Sequence, residues 1–198
     1  MCSTCLKSRF ERTELREGNS TSGIFLPEAV SFQYALWNFD KGGFLQDLLH
    51  DLKYNQLSGV GVDLGKTLGA ALCDHNILKD EEWVIVPVPL HRKKKKKRGY
   101  NQARKIAKGV SISTGSSLIS EEIVTRVKHT ATQTGFTLEK RNKNIANAFE
   151  VTNINVLRNA ACLIIDDVFT TGATTFELAG TLANAGVRKI GIATVAQA

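Results

Sequence analysis

The chain has 198 residues, 42% hydrophobic and 23% charged, with a formal net charge of +7 from 26 basic and 19 acidic side chains. Those fractions are ordinary for a soluble globular protein, and the length suits one packed α/β domain with a small appendage. No apolar run approaches the roughly 20 residues of a membrane-spanning helix, and Met1-Cys2-Ser3-Thr4-Cys5 opens without the apolar core of a signal peptide. A cytosolic protein with anionic partners, either phosphorylated metabolites or nucleic acid, is the expectation.

In chain order, residues 1–23 are polar and turn-rich and are expected to form an N-terminal appendage to a domain over 24–198. Cys2-x2-Cys5 has the spacing of half a zinc site, and no further pair follows nearby. Cys73 falls in a helical pattern and Cys162 in an apolar run, so both are expected in the core. Val30, Phe32, Tyr34 and Leu36 alternate with smaller or polar residues, which predicts a half-buried strand. Asp40-Lys41-Gly42-Gly43 turns the chain. Phe44, Leu45, Leu48, Leu49 and Leu52 then recur at helical spacing, with Lys53-Tyr54 closing the helix. A second helix is predicted over 63–74.

A short buried strand is predicted at 83–86, where Pro87 and Pro89 should stop the ladder and stiffen the exit through Leu90 and His91. Seven cations follow without interruption, Arg92-Lys93-Lys94-Lys95-Lys96-Lys97-Arg98. Seven like charges repel one another, so the run reads either as a solvated basic loop or as the wall of an anion site. Gly99-Tyr100-Asn101-Gln102 opens a helix to about residue 111. A short strand is expected at 124–127, then a polar, basic loop over 126–134 of the kind that closes over sites. A helix carrying Arg141 and Asn144 is expected over 138–148.

The most informative stretch is Leu163-Ile164-Ile165-Asp166-Asp167-Val168-Phe169-Thr170-Thr171-Gly172-Ala173-Thr174-Thr175. It reads as a buried strand, a tight loop and a helix N-terminus. The first N–H groups of a helix have no partner within it and carry the positive end of its dipole. Four threonine hydroxyls add donors, and Gly172 allows close backbone approach. Lacking the lysine and spacing of a P-loop, the motif pairs a phosphate cradle with two carboxylates able to accept from vicinal hydroxyls. That is the chemistry of a ribose 5-phosphate site. Strands near 84–88, 124–127, 161–165 and 190–195, separated by helices, predict a doubly wound, mostly parallel α/β sheet. Ligands belong at the C-terminal strand ends, where both 87–91 and 166–175 fall.

Residues 161–175 resemble, at every position, the signature of type I phosphoribosyltransferases. The resemblance implies that Asp166 and Asp167 meet the ribose hydroxyls of phosphoribosyl pyrophosphate as catalytic residues. It also implies that Asp166, Asp167, Val168, Phe169, Thr170, Thr171, Gly172, Ala173, Thr174 and Thr175 bind its ribose 5-phosphate. Pro89, Leu90, His91 and Arg92 would hold the pyrophosphate, helped by the lysine run and Lys128, with Mg2+ bridging it. Within that group, Val86-Pro87-Val88-Pro89-Leu90-His91-Arg92 and Arg98-Gly99-Tyr100-Asn101-Gln102-Ala103 resemble the ComF family of competence-associated proteins. Leu52-Lys53-Tyr54, Arg126, Thr132, Gln133, Arg141, Asn144 and Ala148-Phe149 match the same family.

ComF proteins carry a four-cysteine zinc element at the N-terminus. Of that element only Cys2 and Cys5 are present, so the resemblance implies two candidate Zn2+ ligands, half of a tetrahedral site, as a truncated zinc ribbon would leave. Thr170 stands where purine-salvage relatives carry an acid, and it offers no comparable acid–base group, so hypoxanthine or guanine salvage is not expected. Three functions stay open. The chain is a Mg2+-dependent phosphoribosyltransferase of unknown acceptor, a cytosolic competence factor handling single-stranded DNA with a partner protein, or a sensor that binds the donor without turnover.

Overall fold

In the computed structural model, residues 10–17, 25–55, 57–128 and 146–198 are described. They run through β1 (Arg16–Glu17), β2 (Val30–Asn38), α1 (Phe44–Tyr54), α2 (Ser58–Asp74), β3 (Trp83–Pro87), α3 (Arg92–Arg98) and α4 (Gln102–Thr114). There follow β4 (Ser117–Leu118), β5 (Val124–Arg126), β6 (Phe149–Val151), a 3-10 turn at Ile154–Val156, β7 (Ala161–Phe169), α5 (Ala173–Asn184) and β8 (Lys189–Gln197). The main sheet has the order β1-β2-β8-β7-β3-β4. Its strands from β2 to β4 are mutually parallel, and β1 closes one edge antiparallel. This is the doubly wound, mostly parallel α/β sheet that the alternation of strands and helices predicts.

The period-2 geometry of the strands divides the core between two faces. Leu163 and Ile165 of β7 join Trp83 and Ile85 of β3 beneath α1, α2 and α4. Cys162 and Ile164 point the other way, towards Leu178, Ala179 and Leu182 of α5. Helices cover both faces, so β2 is buried on both sides rather than half-buried: only Ser31 is exposed along Val30–Trp37. The polar Gln33, 1% exposed, is part of that core.

Four further expectations change. The strand at residue 124 does not enter the main sheet, but pairs antiparallel with β6 as a separate ribbon. Helix α2 begins at Ser58, five residues before the expected 63. Pro87 stays inside the ladder opposite Ile165, and the Val88 N–H still donates to the Ile165 carbonyl at 2.9 Å. Cys73, expected in the core, is exposed, whereas Cys162 is buried and its thiol is pushed up to about 12 by that burial.

Glycines bring α2 and α4 together. A Cβ on Gly65 would lie 1.9 Å from the Ile106 carbonyl oxygen, and one on Gly109 2.1 Å from that of Val62. The backbones therefore meet almost directly, and this fixes where α4 starts above the sheet. Within the first 23 residues, those described lie against the domain, with β1 on β2 and the Phe10 ring 4.7 Å from that of Trp37. Cys2, Cys5, the loop beyond Lys128 and the helix expected at 138–148, apart from its last three residues, lie outside the described residues. Those three form a turn and its exit into β6. No helix among the described residues is long and apolar enough to cross a membrane.

Candidate functional site

The carboxylates sit inside a strand, not in the loop after it. β7 continues to Phe169, still paired with β8 through Gln197. Asp166 stands opposite Thr194 and Val168 opposite Ala196 of β8, near the C-terminal end of the sheet, and Asp166 and Asp167 both line one cleft there. The connecting loop is only Thr170–Gly172. Gly172 caps α5 at φ +76°, with no side-chain hydrogen bond to the helix N-terminus. A Cβ at that position would meet the Phe176 ring at 2.4 Å, so both backbone angle and space require glycine. Residues 168–175 and Asp166 line a small concavity of about 30 Å³ over this N-terminus. Not every threonine is free to serve it. The buried Thr175 hydroxyl donates to the Gly172 carbonyl at 3.0 Å, whereas Thr170, Thr171 and Thr174 are wholly or partly exposed.

A larger cleft of about 590 Å³ opens beside it and shares Asp166 and Thr174. Five cations line the cleft: Lys53, Lys94, Lys97, Arg98 and Arg126. The basic run that supplies three of them is a helix, α3, rather than a loop. The His91 imidazole caps it by accepting from the Lys93 N–H at 3.2 Å, and Gly99 ends it in the left-handed region. Helical spacing then sorts the charges. Lys94, Lys97 and Arg98 face the cleft, Lys95 pairs with Glu121, and Lys93 and Lys96 point to solvent. Burial lowers the affinity of Lys94 for its proton, and the neighbouring charges of Arg126 and Arg98 lower it further. Cations crowded to that degree favour an anion between them.

The two acids are held differently. The Asp167 N–H donates to Asp166 Oδ1 at 2.9 Å. Asp167 itself is almost buried, and its Oδ2 lies 2.6 Å from Lys53 Nζ. Burial and then the charge of Asp167 push the Asp166 carboxyl well above its usual range. For Asp167 burial pushes in the same direction, but the ammonium of Lys53 outweighs it and holds the carboxyl below that range. The charge of Asp167, acting against burial, raises Lys53 in turn.

Of the residues expected at the pyrophosphate, Pro89 and Leu90 line this cleft. His91 and Arg92 instead line a second cavity of about 450 Å³, together with Lys95 and Glu121, and Pro89, Leu90 and Arg126 line both cavities. Lys128 donates to the Ala146 carbonyl at 2.9 Å. Lys53 is the residue that reading the sequence for chemistry missed. A signal was present: Lys53 follows Leu45, Leu49 and Leu52 on the buried stripe of α1, and a lysine on such a stripe calls for an acidic partner.

A family model described as phosphoribosyl transferase domain matches residues 92–198, more than half of the chain. The chain belongs to the phosphoribosyl transferase domain family. Within it the chain is of the ComF kind. It is 36% identical over 115 residues to competence protein F of Haemophilus influenzae, an alignment covering 58% of this chain and 50% of that protein. It is 30% identical over 157 residues to DNA utilization protein YhgH of Escherichia coli K12, covering 74% and 64% respectively. The chain thus spans about half the length of the first relative and under two thirds of the second. A solved purine phosphoribosyltransferase from Pyrococcus horikoshii overlaps 70% of this chain and 83% of its own, at 14% identity and a TM-score of 0.38.

Proposed function

We propose that the cleft binds the 5-phosphoribosyl group of phosphoribosyl pyrophosphate and that the protein acts, as a phosphoribosyltransferase-family member, in DNA uptake during competence. One observation carries the binding reading. The carboxylate pair stands between a glycine-capped helix N-terminus and a cluster of five cations. The three parts of the ligand fit that order. The 5-phosphate suits the threonine loop, the vicinal hydroxyls suit Asp166 and Asp167, and the diphosphate suits Lys94, Lys97, Arg98 and Arg126.

Among the described residues no group of three or more His, Cys, Asp or Glu side chains could hold a metal ion by itself. Mg2+ suits this donor set as an ion arriving on the diphosphate, since it binds readily through phosphate oxygens and retained waters. When bound it would neutralise charge on the departing diphosphate. The chain's own contribution is positioning, together with cations fixed where negative charge collects. Thr170 cannot take a proton from an acceptor, so an acceptor must react without a base at that position. Titration of phosphoribosyl pyrophosphate with Mg2+ tests the reading: the wild type should bind, and Asp166→Asn/Asp167→Asn should not.

The outer side of α3 favours a second reading. Lys93 and Lys96 are exposed and do not line the acid cleft, and a nucleic-acid backbone is the anion such a row would meet. Two relatives bear names tied to competence and DNA utilization. Single-stranded DNA lying across α3 in a cytosolic setting would be compatible with donor binding in the cleft. It would show as affinity falling steeply with salt.

A further inference from the structure

We propose that Lys53 is a positioning and recognition residue of the sugar site, contributed by α1 from outside the matched phosphoribosyl transferase domain. Its ammonium orients Asp167 and offers its remaining donors to the same sugar hydroxyl from which Asp167 accepts. This rests on the donor-binding reading above.

The geometry supports it in three steps. An ammonium has three donors and no acceptor. That of Lys53 forms an ion pair with Asp167, Nζ 2.6 Å from Oδ2, while the lysine side chain remains 27% exposed and lines the cleft beside Asp166 and Thr174. Lys53 therefore has donors to spare where a ligand would sit. Next, Asp167 alone accepts from a hydroxyl and leaves that oxygen's lone pairs unanswered. An acid–ammonium couple satisfies the hydroxyl as donor and as acceptor together.

Last, the end of α1 is held in place by separate contacts. The Tyr100 hydroxyl donates to the carbonyl of Leu52, which is fully buried. The Arg98 guanidinium lies 5.5 Å from the centre of the Tyr54 ring. Residues 52–54 and 98–100, which are far apart in sequence, thus grip each other around Lys53. This grip orients the ammonium before a ligand arrives, which lowers the ordering cost of binding.

A purely structural staple would give a different result from a recognition residue, and two ligands separate them. Ribose 5-phosphate carries the vicinal hydroxyls that the acids would hold, whereas inorganic phosphate has none and reports on the anion-binding groups without the sugar. With Lys53→Met, calorimetric titration should show ribose 5-phosphate binding roughly 10- to 100-fold weaker, the range expected for losing a charge-assisted hydrogen bond. Inorganic phosphate should bind as it does to the wild type. Tyr100→Phe keeps Lys53 but frees its anchor, and should weaken ribose 5-phosphate in the same selective manner. It also serves if the methionine variant does not fold. Unchanged affinity for ribose 5-phosphate in both variants, or an equal loss for both ligands, would overturn the role of Lys53. A wild type that binds no ribose 5-phosphate would instead overturn the donor-binding reading itself.

Discussion

Replacing Gly65 with alanine probes how the glycine crossing supports the fold. A Cβ there would sit 1.9 Å from the Ile106 carbonyl oxygen, against the roughly 3.5 Å at which such atoms are comfortable. Both atoms belong to helix backbones, so the helices must separate by about 1.5 Å. Leu64, Leu68 and Leu72 of α2 and Ile106 and Val110 of α4 are each fully buried. Burial of five such side chains stabilises the fold by about 8–15 kcal/mol. A gap of 0.5–1 Å already forfeits a quarter or more of the contact energy, so the loss is at least about 2–4 kcal/mol. For a chain of this length that lowers Tm by roughly 4–16 °C. Gly180→Ala is the matched control. It lies inside α5, exposed, with nothing within 4 Å of its added Cβ, and should gain about 0.5–1 kcal/mol from helix propensity. Circular-dichroism melts of both variants decide the matter. A Gly65→Ala protein melting within a degree of wild type would refute the backbone-contact argument.

Two further outcomes follow from the charges. Asp166 has its pKa raised in the fold, so its contribution to stability is present below the unfolded value of about 3.9 and is lost as pH rises through the raised one. Asp166→Asn mimics the neutral form and keeps an oxygen for the Asp167 N–H. Without ligand, at pH 7–8, it should melt about 2–4 °C above wild type, with the gap closing on acidification. A gap that widens as pH falls would contradict the sign. For DNA, Lys93→Ser/Lys96→Ser should flatten the slope of log affinity against log salt by about 1.4 for a single strand. An unchanged slope in fluorescence-anisotropy titrations would remove α3 from the interface.

The strand, loop and helix around Asp166 were legible because burial on both faces forces a continuous apolar run, and because the phosphate cradle needs small polar residues in order. Other features carried weaker signals. The alternation in β2 suggested one wet face because Gln33 and Ser31 are polar, yet Gln33 is buried, 1% exposed. β5 has three residues, too few to distinguish a place in the main sheet from a ribbon with β6, 23 residues further on. Seven like charges have no apolar period, so the helix α3 could be read only from its ends, His91 and Gly99. The pairing of Lys53 with Asp167 spans more than a hundred residues, and only the fold brings the two together.

The most direct test of the central claim is isothermal titration of phosphoribosyl pyrophosphate with Mg2+ into the wild type and Asp166→Asn/Asp167→Asn. Saturable binding by the wild type that disappears in a folded variant is the predicted result. No binding to either protein, or equal binding to both, would contradict the assignment of the carboxylate pair to the sugar.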